Sequence, residues 1–368
     1  MANLYNELFN DRHYNRELSP VFEGKRNFSG PSPPPLQIIF VLDYLQIFGL
    51  DAQSQLLSTC IQLRISWLDP RLSWDPANHD GIEQLHVLAD TIWIPDAQFG
   101  SVKTLDDMSP GLNKAVKVTS DGWVETVTPY YMEIACQITI SSFPFDNQSC
   151  ELPLLSFSYA SSLIATNGSV GQRVGAQLSA RSIGNGEWEC TGIDQLVIEQ
   201  GGVQLFCFYI NLKRVPNYYV YVIAVPCFVM TFLSILGMFW KRNNESKHLD
   251  RLLIGLTSLI SMTLLLDLLS NAIPKTSVFP LLGVYVTACI GLTSVSCLLI
   301  IVWPAKDLRK SLMEREKKME SAAEQNLSKS RRYLNKIKAN LYHRHIIFHA
   351  ILHLLNLIGF IVFLSFWK

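Results

Sequence analysis

Four apolar segments in the C-terminal part of the chain are each long enough to cross a lipid bilayer. They run roughly over residues 218–240, 252–273, 278–303 and 346–367 of the 368-residue sequence. A helix needs about 20 largely apolar residues to span a hydrocarbon core that is ~30 Å thick. Helices also satisfy their own backbone hydrogen bonds, which lipid cannot do. We therefore predict a membrane protein with a four-helix transmembrane bundle.

The charges between the third and fourth segments indicate how the chain is oriented. Residues 304–344 are rich in Lys and Arg, as cytoplasmic loops of membrane proteins are. We therefore expect an extracellular domain over 1–216, three transmembrane helices within 217–303, and a partly helical cytoplasmic link over 304–344. The fourth helix and an extracellular C-terminus then occupy 345–368. This topology is that of a multi-pass protein of the plasma membrane.

The N-terminal part has the pattern of a β-sandwich that follows a short helix. Leu4, Tyr5, Leu8 and Phe9 recur at helical spacing. Alternating or β-rich runs follow, separated by Gly, Asn, Asp and Pro. The clearest runs are 37–48, 55–67, 131–140 and 203–214. Such runs favour an immunoglobulin-like sandwich of two packed sheets.

Two cysteines bracket a loop that carries two large rings. Cys136 and Cys150 enclose thirteen residues, in which Phe143 and Phe145 flank Pro144. A disulfide across a short loop suits the oxidising outer side of a membrane. Two aromatic rings on a rigid turn need another surface against which to pack. The sequence therefore favours a pinned, docked loop over two unrelated buried thiols.

A second pair of cysteines flanks a predicted hairpin. Cys190 lies on one arm and Cys207 on the other, while Gly201 and Gly202 supply the turn. A bridge requires opposed strand positions, and the sequence does not fix the register of the two arms. A second disulfide and two free thiols are therefore both left open.

Several short stretches, taken in order, resemble the Cys-loop family of pentameric ligand-gated ion channels, and most closely its nicotinic acetylcholine and serotonin type branch. They are CQITISSFPFDNQSC at 136–150, LYNEL at 4–8, SWLDPRLSW at 66–74, WIPD at 93–96, GEW at 186–188, KRVPNYY at 213–219, PC at 226–227 and SMT at 261–263. Each stretch is a weak match, but their joint order is specific. The resemblance implies a five-fold ring of subunits, agonist sites between neighbours and an axial pore.

The resemblance also implies an agonist site built around aromatic rings. The implied residues are Phe157, Tyr159, Phe99, Phe206, Gln62, Glu125 and Val127. Phe157 stands where the nicotinic pattern has its central Trp, and Gln62 stands where the facing wall usually has another Trp. Ring faces attract cationic amines. The weakened box favours a small amine or an unrelated small molecule over acetylcholine, and the alternative is that Phe157 is sandwich core.

The second crossing carries the residues implied to line the pore. One helical face collects Asp250, Leu253, Thr257, Ile260, Leu264, Asp267 and Asn271. An ionisable Asp267 at membrane depth is costly unless it meets water, and a pore supplies water. Rings of Asp250 and Asp267 favour permeant cations, while Ile260 and Leu264 form apolar constrictions. Leu253 replaces the usual small polar residue, so a non-conducting or accessory subunit of the same fold is the alternative.

Coupling between agonist and gate is implied for residues near the junction of the two bodies. These are Phe143, Pro144, Phe145, Asp146, Arg214, Pro274 and Lys275, with Asp146 as the expected partner of Arg214.

Asn-x-Ser sequons on the predicted outer side begin at Asn27, Asn147 and Asn167 and are candidates for glycosylation.

The remaining features argue against other classes of protein. The formal net charge is zero, which gives no reason to expect a nucleic-acid partner. Because no catalytic triad, metal cluster or phosphate loop stands in a persuasive context, we expect neither an enzyme nor a cofactor. The expected partners are a small-molecule agonist, permeant cations, membrane lipid and identical subunits in a homopentamer.

Four histidines, His343, His345, His349 and His353, leave open a metal or proton site besides interfacial packing.

Overall fold

The computed structural model describes residues 1–21, 34–109, 114–239, 248–274, 277–302 and 328–367. The chain divides into two compact units. The first consists of Met1–Thr139 and Asn147–Val215, and the second consists of Ile140–Asp146 and Pro216–Lys368. The end of the first unit lies next to the predicted domain boundary at residue 216. The seven residues Ile140–Asp146, however, group with the helices.

The first unit opens with a short helix, as predicted. Helix α1 spans Ala2–Asn6, and a π-helical turn continues it over Glu7–Asp11. Leu4 and Leu8 are buried, which explains the helical spacing of the apolar residues in this stretch.

The first unit consists mainly of β-strands joined by loops. They are β1 (Leu36–Asp51), β2 (Leu56–Leu68), β3 (Gln84–Leu88), β4 (Ala97–Phe99), β5 (Val102–Asp107), β6 (Ala115–Thr119), β7 (Trp123–Ala135), β8 (Asn147–Ser156), β9 (Ile164–Val170), β10 (Trp188–Gln200) and β11 (Val203–Arg214). One helix, α2 (Gln172–Ser179), lies between β9 and β10.

Two sheets form from these strands. The seven-stranded sheet has the order β3-β6-β7-β2-β1-β9, with β5 also paired to β7, and the second sheet has the order β10-β11-β8-β4. Phe40 of β1 and Phe206 of β11 belong to different sheets, and their ring centroids are 6.0 Å apart. Both rings are fully buried, so the inner faces of the two sheets pack on one another. The predicted β-sandwich is confirmed.

Only one of the two cysteine pairs considered in the sequence forms a disulfide. Cys136 and Cys150 form a disulfide with an S–S distance of 2.05 Å, as predicted. Cys190 and Cys207 are both free thiols. Their register explains why, because Cys190 lies opposite Leu212 and Cys207 lies opposite Leu196 on the paired strands. The second disulfide that the sequence left open is therefore not formed.

The second unit contains the helices. They are α3 (Asn217–Tyr219), α4 (Val225–Phe239), α5 (His248–Ala272), α6 (Leu281–Val302) and α7 (Ser328–Ser365), and a π-helical turn over Val220–Ala224 joins α3 to α4. Membrane-length apolar stretches cover Asn217–Met238, Arg251–Ala272, Leu281–Leu299 and Ile347–Ser365. These correspond to the four predicted crossings. Helix α7 begins within the predicted cytoplasmic link and continues into the fourth crossing.

Helix α5 packs on its neighbours through one narrow stripe. Gly255, Met262 and Leu269 are buried and recur every seven residues. A side chain at Gly255 would collide with the sulfur atoms of Met238 and Cys297. The stripe therefore fixes which face of α5 points toward α4 and α6, and leaves the opposite face exposed.

Candidate functional site

The loop after β8 presents an aromatic ring to solvent. The Phe157 side chain is 63% exposed. On one side of it the Ser156 hydroxyl donates to the Asp96 carboxylate, and on the other side the Ser158 backbone N–H donates to the same carboxylate at 2.9 Å. The loop backbone is thus held at both neighbours of Phe157. The alternative that Phe157 belongs to the sandwich core does not apply to this chain.

Asp96 is the residue that organises this loop. Burial alone raises the pKa of its carboxyl group, but the hydrogen bonds from Ser156 and Ser158 outweigh burial and lower the pKa below its ordinary value. The carboxylate form therefore holds the loop. The residue ends the WIPD stretch, and its role was not anticipated from the sequence.

Two further predicted site residues, Tyr159 and Phe99, each pair with another aromatic ring. Tyr159 meets Trp93 edge to face, with ring centroids 6.5 Å apart. Phe99 of β4 meets Tyr130 of β7 edge to face at 5.1 Å. Tyr130 is an additional aromatic residue that sequence reasoning missed, because it occurs within an alternating strand and not in a recognisable motif.

Phe206 does not join this group of rings. Its side chain is 1% exposed and packs edge to face on Phe208 at 4.7 Å, and it also neighbours Phe40. The expectation that Phe206 contacts an agonist was wrong. Phe206 packs between Phe40 and Phe208, so its side chain fills the sandwich core, while Leu196 and Val197 on the facing arm are exposed.

The residues of the implied facing wall lie on β2 and β7. Gln62 pairs with Pro129, Arg64 with Val127, and Ser66 with Glu125. Gln62, Val127 and Glu125 are all partly exposed.

An ion-pair network occupies the same face. Arg64 forms two short hydrogen bonds to the Asp43 carboxylate, with its Nε 2.8 Å from Oδ2, and its Nη1 lies 3.8 Å from Glu125 Oε2. The hydrogen bonds that Arg64 donates to the Asp43 carboxylate keep the pKa of Arg64 above its ordinary value. Two carboxylates thus surround one guanidinium, and Lys117 of β6, which pairs with Glu125, adds a second basic residue beside them.

The exposed face of α5 contains the predicted pore residues. Leu253, Thr257, Ile260, Leu264, Asp267 and Asn271 are all exposed in the single chain. They lie opposite the stripe through which α5 packs on α4 and α6. The Thr257 hydroxyl donates to the Leu253 carbonyl at 2.8 Å, which satisfies it within the helix. Asp250 lies in the first turn of α5, and its side chain is outside the described residues.

The turn Ile140–Asp146 is packed against helical residues of the second unit. The Leu281 and Leu282 backbone N–H groups, at the start of α6, donate to the Ser141 and Phe143 carbonyls at 3.2 and 3.1 Å. The Phe143 ring is fully buried and meets Tyr219 edge to face at 4.7 Å.

The second ring of the turn has its own partners. Phe145 lies 5.3 Å from Phe363 and 6.3 Å from Trp367, measured between ring centroids. Phe363 lies in the last turn of α7, and Trp367 follows the end of that helix by two residues. Each predicted docking ring therefore has an aromatic neighbour that the sequence did not indicate.

Comparisons with known protein families agree with this arrangement. The family of the neurotransmitter-gated ion-channel ligand binding domain matches residues 1–216, and the family of the neurotransmitter-gated ion-channel transmembrane region matches residues 223–342. The chain belongs to the neurotransmitter-gated ion-channel family. It is thus a member of the Cys-loop receptors, a family of channels and not of enzymes.

Individual relatives in this family are receptor and channel subunits. The chain is 30% identical over 299 residues to neuronal acetylcholine receptor subunit alpha-6 of Mus musculus, which covers 77% of this chain and 55% of that protein. It is 27% identical to subunit alpha-9 of Gallus gallus, over 81% of this chain and 59% of the relative. It is 26% identical to proton-gated ion channel subunit pbo-6 of Caenorhabditis elegans, over 75% of this chain and 65% of that protein. The chain thus spans little more than half the length of the two receptor subunits.

Other predicted residues of this Cys-loop receptor chain are placed as follows. Arg214 is buried, its guanidinium stacks over the Trp188 ring at 4.0 Å, and its Nη1 lies 2.7 Å from Glu187 Oε1. Glu187 belongs to the GEW stretch, a partner that the sequence did not single out. Pro274 is buried. Lys275 lies outside the described residues.

Two of the three predicted glycosylation sites lie within the described residues. Asn147 begins β8 and Asn167 lies in β9, and both side chains are exposed. Asn27 lies outside the described residues.

Proposed function

We propose that this chain forms a pentameric ion channel that opens when a small-molecule agonist binds to the extracellular domain. The observation that carries the proposal is the exposed face of α5. Its six described pore candidates, from Leu253 to Asn271, all lie on the side of the helix that α4 and α6 leave uncovered. A helix with Asp267 on such a face needs a water-filled environment. Five copies around an axis provide one.

The charges of that face favour permeant cations over anions. Asp267 is exposed on α5, and Asp250 lies in the first turn of that helix. Rings of carboxylates select for cations in channel pores. In the proposed topology, residues 1–216 and the C-terminus are extracellular and residues 304–344 are cytoplasmic. The exposure of Asn147 and Asn167 suits glycosylation on that outer side.

The proposed agonist contact is the face of Phe157. Its ring is exposed and its loop is fixed by Asp96. The facing wall contains the carboxylates of Asp43 on β1 and Glu125 on β7 beside Arg64. An aromatic face favours a cationic amine. In a pentamer, Phe157 of one subunit would face Gln62, Glu125 and Val127 of the next.

Coupling to the pore is proposed to run through the turn Ile140–Asp146. Backbone hydrogen bonds tie this turn to the start of α6, and Phe143 and Phe145 pack on helical residues. Movement of the turn would therefore displace α6, which packs directly against the pore-lining α5. The predicted pair of Arg214 with Asp146 belongs to the same proposal.

A non-conducting or accessory subunit is the second candidate. Leu253, Ile260 and Leu264 are between 61% and 63% exposed on the pore face, and they are apolar. Three apolar rings favour dewetting, which closes a pore. Such a subunit would conduct only when partner subunits replace some of these rings.

Electrical recording from cells that express this chain alone tests the proposal. Amines, amino acids, protons and lipids are applied in turn, with surface pentamers verified by native mass measurement. Agonist-evoked cation currents are expected. Surface pentamers that stay silent alone but alter the currents of a co-expressed nicotinic subunit would instead establish the accessory function. Surface chains that form no pentamer would contradict both.

A further inference from the structure

Two histidines form a pair on one face of α7, at the start of its membrane-length stretch Ile347–Ser365. His349 and His353 are four residues apart, so their side chains follow one another along the helix surface. Their Nε2 atoms are 3.1 Å apart, and their rings meet edge to face with centroids 4.4 Å apart. Both side chains are partly exposed. Two imidazole nitrogens therefore converge beside the helix.

We propose that His349 and His353 form a binding site for a transition-metal ion of the Zn²⁺ class. Imidazole nitrogens bind Zn²⁺ at about 2.0–2.1 Å, and a tetrahedral ion at that distance holds two ligand nitrogens ~3.3 Å apart. The observed 3.1 Å is within a small side-chain adjustment of this value. Metal binding needs no change in the backbone of α7.

The protonation of the pair is compatible with a metal. In the present geometry one Nε2–H donates to the other Nε2. A metal ion takes the place of this proton, which moves to Nδ1 of the same ring, so both imidazoles stay neutral and each offers one lone pair to the ion. Water molecules complete the coordination. No proton is lost or gained in this exchange.

Two buried polar atoms beside the pair support the assignment. Among the described residues, Nδ1 of His353 and Oδ1 of Asn356 are buried and have no hydrogen-bond partner. Asn356 follows His353 by three residues, and its Nδ2 donates to the Phe228 carbonyl at 3.3 Å. A metal-bound His donates its second ring N–H to an oxygen acceptor in most sites. Oδ1 of Asn356 is an acceptor of this type, one helical turn away.

Aromatic side chains of the described residues lie beside the pair. The His353 ring lies 4.6 Å from Phe232 of α4, and Phe228 stacks on Phe360 at 4.7 Å. Ionisable side chains in membrane segments are costly and usually have a function. No group of three or more His, Cys, Asp or Glu within the described part of the chain is arranged to hold a metal. The site therefore rests on the pair.

Metal binding to the purified full-length chain in lipid nanodiscs tests this proposal without any channel recording. Co²⁺ is titrated while its visible absorption is followed, and Zn²⁺ is then used to displace it. His349→Gln and His353→Gln are each expected to weaken Zn²⁺ binding by at least about tenfold. The exposed His86 of β3 supplies the matched control, and His86→Gln is expected to bind as the parent does.

Two further measurements keep the test decisive. Each variant is checked for the parent's oligomeric state, and the rise in melting temperature caused by Zn²⁺ is compared between parent and variants. That rise is expected in the parent and in Cys60→Ser, a control for the partly exposed free thiol, and is expected to disappear in both pair variants. Equal Zn²⁺ affinity in the parent and both pair variants, or binding that depends on Cys60 instead, would overturn the site.

Discussion

Phe157 presents its ring to solvent because Asp96 holds the backbone on both sides of it. If a cationic agonist binds to that ring, Phe157→Ala removes about 1–2 kcal/mol of binding, or about five- to thirtyfold in activating concentration. Phe157→Trp should preserve or improve the response, since indole has the stronger quadrupole. Dose–response recording measures both variants, and Phe48→Ala removes an exposed ring elsewhere as the control.

An unchanged response of Phe157→Ala, with surface pentamers at the parental level, would place the agonist elsewhere. That result would leave the proposed pore intact, because no pore residue depends on Phe157.

The hydrogen bonds that Asp96 accepts from this loop can be tested by mutation. Asp96→Ala removes the acceptor for Ser156 and Ser158, and we expect a loss of about 1 kcal/mol for these partly exposed hydrogen bonds. Because the folded-state pKa of Asp96 is lowered, its stabilising contribution is present above the ordinary carboxyl pKa and is lost as the pH falls through the folded value. Thermal unfolding at neutral and acidic pH measures both effects.

Asp106→Ala, an exposed acid on β5, is the control for the Asp96 variant. A melting temperature of Asp96→Ala equal to that of Asp106→Ala at neutral pH would show that the carboxylate does not hold the loop.

At the scale of elements, sequence patterns found most strands and helices but not their contacts. The runs 37–48, 55–67 and 203–214 coincide with β1, β2 and β11. The run 131–140 was only half right, since β7 ends at Ala135 and the chain then enters the disulfide-bounded loop. Alternation predicts that a strand has two faces, but it does not tell which face a tertiary neighbour covers. That is why Phe206 was misassigned and the aromatic partners of Phe143 and Phe145 were missed.

The disulfide-bounded loop gives a prediction at this scale. Opening a loop of this length by Cys136→Ser costs up to ~3 kcal/mol in chain entropy. The turn that presents Phe143 and Phe145 should then lose its fixed geometry, so surface assembly or gating is expected to fail. Cys60→Ser, which removes a free thiol from β2, should behave as the parent in surface labelling and recording. Normal currents from Cys136→Ser would argue against coupling through the turn.

The exposed and buried stripes of α5 differ in a way that a reagent can detect. Leu264→Cys lies on the exposed face and should react with a charged, membrane-impermeant thiol reagent when the channel is open. Met262→Cys lies two residues away on the buried stripe and should react much more slowly. Modification is followed as an irreversible change in current, and the unmodified parent controls for its own cysteines. Equal reaction rates at the two positions would reject the proposed pore face.

At the scale of the whole molecule, the sequence identified the architecture better than the ligand. Apolar segments of membrane length, a bracketed loop and ordered motifs each reflect constraints that act on many residues at once. The proposed agonist site uses a few side chains supplied by two subunits, so a one-residue error in register changes the predicted wall. Both levels depend on assembly. In the proposed channel, five copies of α5 must align before their carboxylates can form rings around the pore.

Charge selectivity tests that alignment most directly. Asp267→Lys replaces a ring of five carboxylates by five ammonium groups in confined water, so the reversal potential should shift toward that of anions, and Asp250→Lys should act in the same direction. Bi-ionic reversal potentials under fixed ionic strength measure the shift. Asp106→Lys makes the same change in net charge outside the proposed pore and should leave selectivity unaltered. Parental selectivity in both pore variants would mean that the two acids do not line the ion path, and an equal shift in Asp106→Lys would assign the effect to overall charge.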